Sequence, residues 1–238
     1  MNDQIKYGIF LILLLASCSP KYYSPNTQNV PLITQKAETN LTLAGNSNQI
    51  EFQGAYGVSD AVSVMLNGGL FIPAELDNGN GGSGRFIELG GGYFRKIQDH
   101  WAFESYVLMG FGGFENHLPS TIAANPTTTG DIAGDVFRIG IQPAFGYKSK
   151  YLDAAVSSRI VNLSYKNIHG DLIFEQVDQA AYLQEHANYW LFEPAFTFRA
   201  GFEKFKVQLQ YVYSINASDP DFRQDKTNLT LGLNFNFD

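Results

Sequence analysis

Apolar and polar residues alternate one for one along the final segment of the chain. One face carries Thr227, Leu229, Leu231, Leu233, Phe235 and Phe237, and the other carries Asn228, Thr230, Gly232, Asn234, Asn236 and Asp238. Successive side chains of an extended strand point to opposite faces, whereas those of a helix repeat about every 3.6 residues. This period of two therefore predicts a β-strand.

The same alternation recurs upstream and predicts about ten strands, with eight as an alternative count. Their approximate bounds are 39–45, 48–58, 61–72, 85–95, 100–112, 132–147, 151–165, 189–200, 204–215 and 227–237. Tight turns alternate with long connections, which are 73–84, 113–131, 166–188 and 216–226. Short turns at one end and long loops at the other are typical of outer-membrane barrels. The predicted fold class is therefore all-β, an up-and-down antiparallel β-barrel of the outer-membrane type.

The polar faces of these strands carry charges of both signs. They are Glu51, Glu88, Glu104, Arg138, Arg159, Glu193, Arg199, Lys204 and Lys206. In a membrane barrel this face would line the lumen, where each charge needs a partner. Charged residues make up 16% of the chain, below the roughly 25% of soluble domains, which favours the membrane barrel. The alternative is a soluble, lipocalin-like cup that holds an apolar molecule inside and is tethered to the membrane.

The N-terminus has the order of a secretory signal: Lys6, an apolar run at 9–15, and small residues before Cys18. Leu15-Ala16-Ser17-Cys18 resembles the bacterial lipobox, and this resemblance implies cleavage before Cys18 and acylation of its thiol and its new amine. Cys18 is the only cysteine, so a disulfide within the chain is excluded. Ordinary cleavage that leaves a free thiol, or a buried strand with a core cysteine, are the alternatives.

Three segments follow from these patterns. Residues 1–17 are predicted to be a lipoprotein signal peptide, residues 18–38 the lipidated Cys18 and an extended tether, and residues 39–238 the barrel domain. The tether prediction rests on three prolines and many polar residues without helical period over 19–37. An aspartate directly after the cysteine would resemble an inner-membrane retention signal. Ser19 occupies this position instead, which favours delivery to the outer membrane of a Gram-negative bacterium.

At the level of the whole domain, residues 39–238 resemble the small OmpX-type outer-membrane β-barrels. The resemblance rests on the alternation and the loop rhythm, and it implies a lumen filled by the protein's own side chains rather than an open pore. It carries no site residues. The chain departs from the pattern at its end, where Phe237 is penultimate and Asp238 is last, while such barrels commonly end in an aromatic residue.

The residues offer little catalytic chemistry. His117, Ser120 and Glu115 form the only compact set of suitable types, without a strained-turn or oxyanion signature. The histidines at 100, 117, 169 and 186 are too widely spaced for a zinc site, so neither a metal nor a cofactor is predicted. No catalysis is expected, and an outer-membrane lipid-modifying enzyme is the alternative.

The expected function is that of a lipid-anchored, monomeric barrel with a structural, surface-contact or small-ligand-binding role. Outer-membrane lipid is its expected partner, and the ligand-binding residues are unknown. A net charge of −7 without a basic cluster argues against nucleic acid. Within the 166–188 connection, residues 175–186 are good helix formers, and a short helix over the barrel mouth is predicted with Val177, Ala180 and Ala181 on one side.

Overall fold

The computed structural model describes residues 20–75, 81–118 and 129–237, which form one barrel. The barrel strands are β1 Thr39–Gly45, β2 Gln49–Gly57, β3 Val62–Glu75, β4 Gly81–Gln98, β5 Trp101–Leu118, β6 Gly130–Lys148, β7 Leu152–Gly170, β10 Asn188–Phe202, β11 Phe205–Tyr213 and β13 Thr227–Phe237. The minor elements are β8 Ile173–Phe174, β9 Val177–Asp178, the helix α1 Gln179–Glu185 and β12 Ile215–Asn216. In this described part of the chain, no helix is long and apolar enough to cross a membrane.

The sheet closes on itself through its first and last strands. Thr39 of β1 lies opposite Tyr56 of β2 on one side and opposite Phe237 of β13 on the other. From β1 to β7 each strand pairs with the next, and β7–β10, β10–β11 and β11–β13 complete the ring, all antiparallel. The predicted ten-strand up-and-down barrel is confirmed, and the alternative of eight strands is wrong.

Strands β4 to β7 reach further toward the long loops than the sequence predicts. β6 and β7 have 19 residues each, whereas about 9–11 residues cross a membrane at a tilt. Their ends therefore project past the bilayer at the long-loop end. Residues 81–84, predicted to be part of the long connection 73–84, belong to β4; residues 76–80 of that connection lie outside the described residues.

The apolar faces of the strands point out of the barrel and the polar faces point in. In β11, Phe205, Val207 and Leu209 are exposed, while Lys206 and Gln208 between them are buried. A soluble cup requires the opposite arrangement, because water must then meet the outside. The orientation is that of a membrane barrel, and the lipocalin-like alternative is not the fold.

Candidate functional site

The lumen of the barrel contains the chain's own N-terminal segment, residues 20–37, which we call the lumen segment. At the long-loop end, the Tyr22 backbone N–H donates to the Arg223 carbonyl at 2.9 Å. At the short-turn end, the Ala37 N–H donates to the Gly57 carbonyl at 2.8 Å, one residue before the β2–β3 turn. The segment is extended, as the predicted tether would be, but most of its residues are buried in the lumen. It crosses the barrel from one end to the other.

Gln28, in the middle of the lumen segment, is 0% exposed and bonds to three strands. Its N–H donates to Gln210 Oε1 at 2.6 Å, and its carbonyl accepts from Gln210 Nε2 at 2.8 Å. Its side-chain Nε2 donates to the Glu193 carbonyl at 2.6 Å, and its Oε1 accepts from Ser157 Oγ at 2.7 Å. Every polar group of this residue is satisfied by β7, β10 or β11.

Residues on either side of Gln28 bond to the opposite wall. The Thr27 N–H and hydroxyl donate to Glu51 Oε1 of β2 at 3.0 and 2.9 Å. The Thr27 carbonyl accepts from Gln53 Nε2 at 2.8 Å, and Asn29 Nδ2 donates to Asn67 Oδ1 of β3 at 2.8 Å. The segment is thus bonded on both sides, and at this level it fills the lumen from wall to wall.

Five of the nine charges predicted to face the lumen form buried ion pairs there. Arg159 Nη2 lies 2.7 Å from Glu193 Oε2, with the two side chains 1% and 0% exposed. Arg138 Nε lies 2.7 Å from Glu88 Oε2, and Lys206 Nζ lies 2.5 Å from Asp153 Oδ1. Burial without a partner would cost several kcal/mol per charge, so the lumen depends on this matching.

Four of the predicted lumen charges form no ion pair among the described residues. Glu51 accepts from Thr27, and Glu104 Oε2 accepts from the Tyr106 hydroxyl at 3.4 Å. Arg199 has no carboxylate partner among the described residues; instead its Nη2 donates to the Val30 carbonyl at 2.7 Å and its Nε donates to Gln208 Oε1 at 2.7 Å. Lys204 was predicted to face the lumen, which is wrong: it is exposed in the β10–β11 turn. β11 begins at Phe205, so its first inward side chain is that of Lys206.

The short-turn end is closed by a contact between β6 and the lumen segment. Lys148 of β6 forms an ion pair with Glu38 and donates to the Leu32 carbonyl at 2.9 Å. Glu38 Oε2 also accepts from the Thr34 N–H at 2.7 Å. These bonds fix the point at which the segment turns from the lumen into β1.

One half of the long-loop mouth is covered by the β7–β10 and β11–β13 connections. The Tyr22 hydroxyl donates to Gln179 Oε1 of α1 at 2.7 Å. The Tyr22 ring lies 6.2 Å from Phe222, which stacks on Tyr189 at 4.1 Å. Aromatic pairs at these distances add to the stability that burial gives. We call this side the closed half of the mouth.

The predicted helix over the mouth is present as α1, but it buries a different face. Asp178 caps it by accepting from the N–H groups of Ala180 and Ala181 at 2.9 and 3.0 Å. Ala180 and Leu183 are buried against the aromatic cluster, whereas Val177 and Ala181, predicted for the same side as Ala180, are exposed. The helix begins after Val177, so the helical spacing assumed for that residue does not apply.

The other half of the mouth, beside β3 to β6, contains a cavity of about 330 Å³. Its lining includes Tyr22 and Tyr23 of the lumen segment, Phe86 of β4 and Arg138 of β6. We call this side the open half of the mouth.

The predicted catalytic set is not assembled as a site in the described residues. His117 Nδ1 contacts Asp131 Oδ1, and both side chains are more than half exposed. Glu115 is exposed, and Ser120 lies outside the described residues, as do Cys18 and the predicted signal peptide.

The other histidines are engaged with backbone carbonyls. Nδ1 lies within hydrogen-bonding distance of the Lys148 carbonyl in His100, of the Asn167 carbonyl in His169 and of the Tyr182 carbonyl in His186. Within 20–75, 81–118 and 129–237, no three His, Cys, Asp or Glu residues are grouped to hold a metal ion.

Comparisons with known proteins find similarity in structure alone. No family model and no curated protein matches the chain. Among solved structures, LpxR from Salmonella typhimurium is similar over 84% of this chain and 99% of its own, with 9% identity and a TM-score of 0.36. An outer membrane channel from Pseudomonas putida F1 is similar over 92% of this chain and 99% of its own, with 10% identity and a TM-score of 0.36. The NanC porin is similar over 84% and 98%, with 10% identity and a TM-score of 0.31. The chain is an outer-membrane-type β-barrel protein, and these likenesses carry no inference beyond its fold.

Proposed function

We propose that this chain is a lipid-anchored outer-membrane barrel that its own lumen segment closes to diffusion, and that its long-loop end serves as a contact surface outside the cell. The observation that carries the proposal is the course of residues 20–37 through the lumen. A pore would need a continuous polar path, and Gln28 occupies that path with bonds to β7, β10 and β11. Neither conduction nor catalysis is part of the proposed role.

The lumen segment also bears on the position of the lipid. Short turns of outer-membrane barrels face the periplasm and long loops face outward. Lys21 lies at the long-loop end, where its carbonyl accepts from Asn116 Nδ2 at 2.9 Å. Cys18 precedes it by three residues, which span at most about 11 Å when extended. We therefore place the acylated Cys18 on the outer side of the membrane, rather than at the periplasmic leaflet that a tether would reach.

Labelling of introduced thiols on intact cells tests this orientation. Acylated Cys18 has no free thiol, so only the new cysteine reacts with a membrane-impermeant maleimide. Lys21→Cys, at the long-loop end, should be labelled on intact cells, whereas Lys150→Cys, in the β6–β7 turn, should be labelled only after the outer membrane is opened. The reverse pattern would overturn the orientation. Metabolic labelling with palmitate, lost in Cys18→Ala, tests the anchor itself.

Planar-bilayer recording tests closure separately. The full-length protein should show no conductance steps, because the lumen is filled at Gln28. A chain that starts at residue 38 lacks the segment, and if it still folds it should conduct. Regular steps from the full-length protein would contradict the closed lumen whatever the state of Cys18.

A further inference from the structure

The cavity in the open half of the mouth has the size and lining of a small-molecule site. Its volume of about 330 Å³ is at the lower end of the roughly 300–1,000 Å³ typical of ligand pockets. Its apolar walls come from Phe71, Phe86, Phe114 and Val136. Such walls suit the apolar or aromatic body of a ligand, and a polar group among them would set its orientation.

Arg138 supplies that polar group. Its side chain is 8% exposed; its Nε pairs with Glu88 Oε2 at 2.7 Å, and its Nη1 donates to Asn26 Oδ1 at 2.7 Å. Its Nη2 is buried and has no hydrogen-bond partner among the described residues. The guanidinium carbon lies 5.1 Å from the centre of the Phe86 ring. Buried donors are nearly always satisfied, so this one indicates an acceptor that the described residues do not provide.

A glycine in the neighbouring strand leaves room for the Arg138 side chain. A Cβ at Gly110 of β5 would lie 3.0 Å from Arg138 Cγ and 3.1 Å from its Nε. Both distances are tighter than ordinary van der Waals contact, so a side chain at 110 would press on Arg138. The wall of β5 is thus shaped around this arginine.

The charges that line the cavity favour an anion. Lys21 and Arg85 line it together with Arg138, and Asp225 is the acidic residue in the lining. Glu88 is already paired with Arg138 and offers no free charge to a ligand. In the described lining of the cavity, three basic side chains therefore face one acidic side chain, and an anionic head would be attracted to the cavity.

We propose that the open half of the mouth binds a small organic anion, whose oxygen-anion head accepts from Arg138 Nη2 and whose apolar or aromatic body lies against Phe71 and Phe86. Both a carboxylate and a phosphate ester present this head. The site goes beyond the proposed function and does not depend on it, since it needs neither the acyl chains on Cys18 nor a closed lumen.

Titration of the full-length protein in lipid nanodiscs tests the site, with calorimetry as the readout. The probes are 3-phenylpropionate, 2-phenylethyl phosphate and, as the neutral counterpart, 3-phenylpropanol. At least one anion should bind about tenfold or more tightly than the alcohol, the effect of a hydrogen bond to a charged group. The tighter anion identifies the head as a carboxylate or as a phosphate.

Two variants locate the binding at Arg138. Arg138→Lys keeps a cation beside Glu88 but removes the guanidinium donors, so anion affinity should fall about tenfold or more while alcohol affinity stays the same. Phe86→Leu keeps the charge and removes the ring, and it should weaken all three probes about two- to tenfold. It also provides a test if Arg138→Lys fails to fold.

The matched control is Arg159→Lys, the same substitution in a lumen ion pair outside the cavity lining. It should leave the affinities unchanged, and an electrophoretic mobility shift on heating shows which variants are folded. Equal binding of anion and alcohol, or no binding of any probe to the folded wild type, would overturn the proposal. So would a loss in Arg159→Lys as large as that in Arg138→Lys.

Discussion

The outer face and the lumen of this barrel are made by the same strands and follow different physical rules. The outer face is a continuous apolar surface on which Leu231, for example, is 64% exposed. The lumen is polar, and its groups bond to particular partners, as Gln28 does on β7, β10 and β11. Lipid accepts any apolar side chain of suitable size, whereas a buried polar group needs one partner in one place. The outer face therefore requires only that a side chain be apolar, whereas the lumen requires a particular residue at each position.

The largest effect is expected from an unpaired lumen charge. Arg159→Ala leaves Glu193 buried without its ion-pair partner and should lower the free energy of unfolding by about 3–5 kcal/mol. Denaturant unfolding in micelles, followed by tryptophan fluorescence, measures this. Lys150→Ala is the control, because the Lys150–Glu203 pair is 3.8 Å apart and more than half exposed, and its loss should cost about 1 kcal/mol or less. Equal losses of unfolding free energy in the two variants would show that the lumen ion pair contributes no more than an exposed one.

A charge on the outer face tests whether lipid covers it. Leu231→Arg, near the middle of β13, should cost about 2–4 kcal/mol, since a cation at the bilayer midplane is poorly solvated. Phe237→Arg, at the end of the same strand, should cost about 1 kcal/mol or less because it lies near the interface. The same unfolding assay in micelles or bilayers reads both. Two near-zero costs would mean that this face does not meet hydrocarbon.

Replacing a glutamine by a leucine of similar size distinguishes a hydrogen-bonded lumen segment from a free tether. Gln28→Leu removes the side-chain Oε1 and Nε2 and leaves the Ser157 hydroxyl and the Glu193 carbonyl without these partners, so a cost of about 2–3 kcal/mol is expected. The identical substitution at Gln35, which is exposed at the end of the segment, should change stability by about 0.5 kcal/mol or less. A free tether would make both substitutions equally harmless.

The smallest expected effect compares two valines on opposite faces of β11. Val212→Leu adds a methylene to a site that is 0% exposed and should cost about 1–3 kcal/mol through overpacking. Val207→Leu makes the same change on the outer face, where lipid adapts to it, and should cost about 0.5 kcal/mol or less. If the outer substitution cost as much, the outer face would also be closely packed against a partner.

The strands and their faces could be predicted from the sequence because period-two alternation is a local property. In β13 the predicted inward residues from Asn228 to Asn236 are buried, and eight of the nine predicted lumen charges, from Glu51 to Lys206, are buried as well. The exception, Lys204, sits in a turn, where alternation no longer determines direction. The start of β4 was predicted too late because glycine-rich sequence at 81–84 is typical of loops as well as of curved strands.

The candidate site could not be predicted, because its contacts join distant parts of the chain. Polar, proline-containing sequence without period describes a solvated tether, and it equally describes a segment that fills a polar lumen. The run Asn26-Thr27-Gln28-Asn29 was the available signal, since four consecutive hydrogen-bonding side chains match a lumen lined by residues such as Gln53, Asn67 and Gln210. The cavity beside Arg138 depends on the same contacts and was missed with them.

Hydrogen–deuterium exchange of residues 20–37 in the folded protein tests the central claim most directly. The N–H groups of Thr27 and Gln28 donate to Glu51 and Gln210 inside the wall, so they should exchange as slowly as the amides of β11. The exposed stretch 35–36 should exchange faster and serves as the internal reference. Exchange of Thr27 and Gln28 at the rate of an unstructured chain, with β11 still protected, would contradict a lumen filled by this segment.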